Sequence, residues 1–198
     1  MTTSVSSRSS TLGELRVGHD RLTFKLTSEQ SEGVLTVVDV TIPPGGGPPM
    51  LHRHDPFELY RVRSGELAVY LEGDDRAVTR MVAGPGTLVV IPSRREHTVR
   101  NESNEEVEAT VVFSPGERME RFARAAAALA DDRTPGPDEV FALAEAHGIE
   151  ITRSIQDVLS RPEEKPSGGV ARGGAGYGSD GTRTRDLRRD RPVLVVGG

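Results

Sequence analysis

The chain has 198 residues, no cysteine and a formal net charge of −5. This length fits one domain with appendages, and the absence of cysteine excludes a disulfide scaffold and a cysteine-ligated zinc site. The negative charge argues against nucleic-acid binding. No stretch reaches the about 18 apolar residues that a membrane span needs, and residues 1–10 lack the apolar run of a secretory signal. We therefore predict a cytoplasmic protein with neither nucleic acid nor membrane as a partner.

Most of the chain predicts short β-strands. Residues 14–114 contain at least eight apolar or β-branched runs with turn residues between them, which is typical of an all-β sandwich or barrel. Pro43 to Pro49 forms a loop that excludes helix. The runs are Leu22–Leu26, Val34–Ile42, Leu59–Val62, Leu67–Leu71, Val78–Val82, Leu88–Ile91, Thr98–Val99 and Val107–Phe113.

The periodicity changes after residue 114 and predicts helices. Ser114-Pro115-Gly116-Glu117 has the form of a capping box, and apolar residues then recur every three or four positions. A second helix is predicted over Pro137–Ala146, with Gly148 as its stop, and a short third one around Ile155–Leu159. Their apolar stripes need a surface, which is either the outside of the barrel or a second subunit.

The chain therefore divides into four predicted regions. Residues 1–12 form a flexible N-terminus, 13–114 a β-barrel, and 115–161 the C-terminal helices packed on the barrel or a dimer partner. Residues 162–198 are rich in glycine and charged residues, so we predict a disordered tail that need not belong to the selected protein.

Three of the five histidines fall into one pattern with a carboxylate. On a strand, alternate side chains share a face, which places His52 and His54 on one side about 6.6 Å apart. Glu58 keeps the same parity, and an antiparallel neighbour can bring His97 beside them. Imidazole and carboxylate without thiolate suit one divalent first-row metal, whether Fe, Mn, Ni, Co, Cu or Zn.

The spacing around these residues resembles the two motifs of the cupin superfamily. The first motif matches Gly46, His52, His54, Glu58 and Gly65, and the second matches Gly86, Pro92, His97 and Asn101. The resemblance implies a double-stranded β-helix, or jelly-roll, with C-terminal helices, which commonly forms a homodimer. It also implies that His52, His54, Glu58 and His97 are the metal ligands.

From Gly33 to about Thr152 the chain resembles single-domain cupins of the quercetin-2,3-dioxygenase-like kind. That resemblance implies a metal-dependent dioxygenase acting on a small enol or phenolic, flavonol-like substrate, with Glu58 as the catalytic base. Two alternatives remain open: a non-redox isomerase, cyclase or lyase, and a cupin that binds metal or a small ligand without catalysis.

Two further expectations concern the surroundings of the site. We predict that Tyr60, Val62, Met81 and Val99 line the substrate pocket. The second motif usually has glycine where this chain has Arg94, so that either the turn is rebuilt or Arg94 accepts a left-handed backbone at a cost of about 1–2 kcal/mol. Arg94 and Arg95 either attract an anionic substrate or are simply solvated turn residues.

Overall fold

The computed structural model describes residues 12–160 and the backbone of the short strand Val195–Val196. Among these residues, ten strands precede the first helix, one lies between the second and third helices, and one follows the third. The expectations for the flexible N-terminus and for the tail lie outside the described residues, apart from Leu12 and that short strand. The strands are β1 Leu12–Val17, β2 Asp20–Leu26, β3 Thr36–Ile42, β4 Met50–Arg53, β5 Phe57–Ser64, β6 Leu67–Glu72, β7 Val78–Ala83, β8 Leu88–Ile91, β9 His97–Arg100, β10 Val107–Ser114, β11 Glu150–Ser154 and β12 Val195–Val196.

The strands form two antiparallel sheets. One has the order β1-β2-β3-β10-β5-β8-β12 and the other the order β11-β4-β9-β6-β7. The helices are α1 Glu117–Leu129, α2 Pro137–Ala146 and α3 Ile155–Leu159. This arrangement confirms the predicted class, an all-β jelly-roll with C-terminal helices. Among the described residues, no helix is long and apolar enough to cross a membrane.

The main core lies between the two sheets. Along β3 the even-numbered residues from Thr36 to Ile42 point inward and are buried, and each odd-numbered residue is only half-buried, as the two-residue period of a strand requires. Val107 and Val111 of β10 point the same way and pair with β3 in register. Val69 and Val99 of the opposite sheet complete the same apolar cluster, so one core joins both sheets.

A second cluster covers the outer face of the five-stranded sheet. Ile155 of α3 packs there against Leu51, Ala68 and Tyr70. For this reason the five residues Leu67–Leu71 of β6 are all buried, whereas a strand with one solvated face would alternate.

The first helix packs against the seven-stranded sheet, and the second packs against the first helix and β11. Ala123 of α1 joins the main core, and the Arg124 guanidinium lies 4.5 Å from the centre of the Phe24 ring. Met119 of α1 and Ala144 of α2 form a further cluster with Ile149. Of the two surfaces considered for the helices, α1 contacts this chain's own barrel, at residues of the core between the sheets.

Two features differ from the sequence expectations. The predicted capping box is wrong, because Ser114 ends β10 and its hydroxyl donates to the Val34 carbonyl at 2.9 Å, so α1 begins only at Glu117, without a side-chain cap. The strand β11 was not predicted. It pairs with β4, where Ile151 faces His52, and thus places His52 inside the sheet rather than at its edge.

Candidate metal centre

The three motif histidines meet at one end of the space between the sheets. His52 on β4 lies directly opposite His97 on β9 in the antiparallel register. His54 follows β4 immediately, and Glu58 projects from β5 in the facing sheet. The first three side chains therefore come from one sheet and its loop, and the carboxylate closes the group from the other.

The three histidines are close enough to share one ion, and Glu58 contacts two of them. The histidine ring centres lie 4.5 to 5.7 Å apart, and one nitrogen from each ring lies within 4.8 Å of the others. The Glu58 carboxylate reaches His54 with Oε1 at 2.8 Å from Nε2, and His97 with Oε2 at 3.7 Å from Nε2. The geometry thus brings together all four residues that the sequence analysis selected.

Backbone carbonyls fix the orientation of each imidazole. Nδ1 of His52 lies 3.2 Å from the Met50 carbonyl, two residues earlier. Nδ1 of His97 lies 2.8 Å from the Arg95 carbonyl, also two residues earlier. Nδ1 of His54 lies 3.0 Å from the carbonyl at position 56. Because a carbonyl only accepts, the network assigns the proton of each neutral ring to Nδ1 and leaves a lone pair on Nε2.

Several of the inward atoms have no hydrogen-bond partner. Nε2 of His54, Nε2 of His97 and Oε2 of Glu58 are buried and unsatisfied. In this tautomer, the 2.8 Å between His54 Nε2 and Glu58 Oε1 joins two acceptors, which is favourable only with a cation between them. Three imidazole nitrogens and one carboxylate oxygen are a fitting donor set for a divalent first-row metal, and the residues present therefore fit such an ion.

The pKa values show how strongly the group is coupled. Burial lowers the pKa of His52 to about 3, and the charge of His97 acts in the same direction. Burial tends to raise the pKa of Glu58, but the contacts with His54 and His97 outweigh it and hold that pKa well below its usual range. Burial and the neighbouring Glu58 raise the pKa of the Tyr60 phenol well above its usual range. The site is therefore set up with neutral His52, ionised Glu58 and protonated Tyr60.

The turn before β9 is held by an arginine in an unusual backbone conformation. Arg94 has a φ of +63°, so of the two expectations the strained backbone is the one observed. Its N–H donates to the His54 carbonyl at 2.8 Å, which ties the turn to the site. Its guanidinium lies 3.2 Å from Glu150, and Arg95 pairs with Asp74. Neither arginine lines the cavity described next.

Asn101, the last residue of the second motif, is a structural residue. It is fully buried, and its amide nitrogen donates to the carbonyls of Ile42 at 2.8 Å and Glu105 at 2.6 Å. Its amide oxygen accepts from the backbone and the hydroxyl of Ser103 at 3.0 and 2.8 Å. This residue fixes the end of β9 without approaching the histidines.

A cavity of about 570 Å³ opens onto the centre, a size within the range of small-molecule sites. Two of the four predicted pocket residues, Tyr60 and Val99, line it, whereas Val62 and Met81 pack in the core outside its wall. Their role in substrate binding stays a prediction. Most of the wall is apolar and comes from both sheets, α1 and α2, including Phe24, Val38, Val40, Val111, Met119, Phe122, Val140 and Phe141.

Sequence reasoning missed two acidic residues in this wall. Asp20 begins β2, and its Oδ1 accepts the Gly47 N–H at 3.0 Å. Glu120 lies on α1, where its carboxylate accepts the Ser28 N–H at 2.7 Å and pairs with Arg124 at 2.7 Å. An aspartate at a turn and a glutamate on an amphipathic helix are ordinary surface patterns, so the sequence contains no signal that marks them.

Comparisons with known proteins agree with this architecture. Residues 38–113 match the family described as Cupin domain. All four residues of the centre lie within this stretch. A comparison with curated protein sequences finds no match.

Several solved structures match parts of this chain at low identity. A variant of oxalate decarboxylase from Bacillus subtilis matches with a TM-score of 0.50 and 20% identity, over 82% of this chain and 45% of that chain. A predicted oxalate decarboxylase from Thermotoga maritima matches with 0.43 and 22%, over 48% and 79%. An oxalate oxidase matches with 0.42 and 24%, over 63% and 65%. This chain thus spans less than half of the Bacillus protein. The likeness concerns the fold, and the resemblance to quercetin dioxygenases stays a prediction.

Proposed function

We propose that this protein is a metal-dependent dioxygenase that acts on a small enol or phenolic compound of the flavonol type. The supporting observation is that three imidazoles and one carboxylate converge at the end of an apolar cavity. The Nδ1 atom of each imidazole is held by a backbone carbonyl. In this proposal His52, His54, Glu58 and His97 hold one divalent metal. Four protein ligands leave up to two of six octahedral positions open, as a reactive site requires.

A bound metal would acidify the hydroxyl of the substrate and, if it is redox-active, supply the chemistry with dioxygen. The chain itself contributes the remaining steps. The Glu58 carboxylate accepts the proton of the enol or phenol hydroxyl, because it is ionised and faces the cavity. The Tyr60 phenol next to it stays protonated, so it can donate a hydrogen bond to the bound substrate. The aliphatic wall around Val99 and Val111 excludes water from the reacting group.

The non-redox alternative is favoured by the same pair of residues. A carboxylate beside a protonated phenol can move a proton from one atom of a substrate to another without oxygen, which is the requirement of an isomerase or a lyase. The two functions differ in whether oxygen is consumed, and a non-catalytic cupin would bind a ligand without turnover.

The test begins with elemental analysis of protein purified without chelator, followed by oxygen uptake with quercetin as the probe. We expect about one equivalent of a redox-active metal. We also expect oxygen uptake in the presence of quercetin, and turnover of quercetin that stops under nitrogen. The variant His97→Ala should lose both metal and uptake, and the matched variant His147→Ala should keep both, because His147 caps α2 away from the centre. Turnover of quercetin without oxygen would support the non-redox alternative, and binding without turnover would support the non-catalytic one.

A further inference from the structure

The charges on the cavity wall are all of one sign. Neither lysine nor arginine occurs among the described residues that line the cavity, while Asp20, Glu58 and Glu120 do. The rest of the wall is mostly aliphatic or aromatic. A ligand that enters this space therefore meets carboxylates and apolar groups, with the histidines and Tyr60 as the other polar partners.

Two of the three carboxylates are balanced by groups outside the cavity or at its end. Glu120 accepts hydrogen bonds from the Ser28 N–H and from Arg124. Glu58 faces the histidines and, in the proposed function, the metal. Their charges are therefore compensated before a ligand binds.

Asp20 is different because its compensation is incomplete. Its Oδ1 accepts the Gly47 N–H, and among the described residues no side chain forms an ion pair with it. Burial raises the pKa of Asp20, and the Gly47 N–H and the charges of Arg100 and His19 offset this only in part. The Arg100 guanidinium donates to the Gly47 carbonyl at 2.6 Å. Asp20 thus lines the cavity as a carboxylate without an ion-pair partner among the described residues.

We infer that this cavity selects an uncharged, mainly apolar compound over a carboxylate of the same size, and that Asp20 enforces the selection. The inference rests on the proposed function, which makes this cavity the substrate site. It adds that the substrate is uncharged. An anion would lose its hydration in an apolar space and meet the incompletely compensated charge of Asp20, which is costly at low dielectric. A hydroxyl group, in contrast, can donate a hydrogen bond to the Asp20 carboxylate.

The test compares 2-naphthol with 2-naphthoate, which are similar in size and differ in charge near neutral pH. Because the chain has no tryptophan, binding can be followed by ligand fluorescence without a protein background, on the full chain as purified and at a measured metal content. We expect 2-naphthol to bind at least about tenfold more tightly, which corresponds to about 1.4 kcal/mol.

The variant Asp20→Asn removes the charge and keeps an oxygen for the Gly47 N–H. We expect it to narrow the ratio of the two dissociation constants to less than about threefold, mainly through tighter binding of 2-naphthoate. Asp20→Ser removes the charge in a second way, should the first variant fold poorly. The matched control Asp39→Asn removes a carboxylate outside the cavity, where it pairs with Arg63, and should leave the ratio unchanged.

Three results would overturn the inference: equal or tighter binding of 2-naphthoate by the wild type, an unchanged ratio in both charge-removing variants, or no binding of either probe. Failure of the proposed function would look different. It would appear as protein without metal or without turnover of quercetin, while the ratio of the two naphthyl dissociation constants is still the expected one.

Discussion

At one end of the cavity the side chains are held by backbone carbonyls, whereas at the other end the wall consists of side chains packed against each other. The metal end comprises His52, His54, Glu58 and His97. The orientation of each of the three imidazoles depends on a backbone carbonyl two residues away in sequence. The helix end comprises α1, α2 and the residues they contact across the first sheet. Local sequence spacing thus determines the metal end, and tertiary packing determines the helix end.

This difference suggests a division of roles. The metal end lies within the stretch that matches the cupin family, apart from contacts made by β11. The helix end lies after that stretch, and Asp20 lies before it. In our proposals the motifs supply the reactive group, while the flanking segments choose which compound reaches it. The following predictions test whether the two ends can be changed separately.

The largest expected effect is the loss of metal at the metal end. We expect His97→Ala to weaken metal binding at least on the order of 100-fold, since even a change behind a ligand costs about 10–100-fold. Competition with a chelator measures it. His147→Ala should bind metal like the wild type, and a similar loss in both variants would show that the centre is not where the geometry places it.

The next effect concerns a motif residue that holds the fold and not the ion. Asn101→Ala removes four side-chain hydrogen bonds, two of them to the carbonyls of Ile42 and Glu105. We expect the free energy of unfolding to fall by about 2–4 kcal/mol in a urea titration. Ser103→Ala, which removes only the hydroxyl contacts, should cost about 0.5–1.5 kcal/mol. Equal losses would mean that the amide of Asn101 is not the anchor of this turn.

At the helix end we predict a pH dependence that arises from Glu120. Burial tends to raise its pKa, but the Ser28 N–H and Arg124 outweigh this and lower it below the ordinary value. Because the folded pKa is the lower one, the stabilisation is present above the unfolded pKa of about 4.3 and is lost as the pH falls through the folded pKa.

The variant Glu120→Gln should therefore flatten the decline in unfolding free energy between about pH 7 and about pH 3. The exposed Glu117 on the same helix pairs with Arg121, and Glu117→Gln should leave the decline as in the wild type. If the unfolding free energy of Glu120→Gln declines with falling pH as it does in the wild type, this carboxylate is not stabilised by its partners.

From the sequence, spacing alone selected the four residues that lie together at the metal end, whereas the helix end was predicted only in outline. Their role as metal ligands stays a prediction. Strand parity applies to His52 and Glu58, while His54 lies just after β4. The helix Pro137–Ala146 was predicted with its bounds, since proline and glycine mark both ends. The strand β11 and the position of Asp20 could not be predicted, because both depend on contacts with β4 and Gly47 that are distant in sequence. The homodimer and the cytoplasmic location stay predictions.

The smallest expected effect comes from Arg94, the motif position at which this chain lacks glycine. A left-handed backbone costs a residue other than glycine about 1–2 kcal/mol, and Arg94→Gly removes this cost. It also removes exposed ion pairs with Asp55 and Glu150, each worth about 0–1 kcal/mol, and adds freedom to the unfolded chain. We expect a net change in unfolding free energy below about 1 kcal/mol and unchanged metal binding, because the Arg94 N–H that holds His54 belongs to the backbone.

Arg76, with a φ of +64°, provides the matched change Arg76→Gly in an exposed turn away from the centre. A clear loss of metal in Arg94→Gly alone would mean that the guanidinium, and not the backbone, positions His54, and the metal end would then depend on side-chain packing as the helix end does.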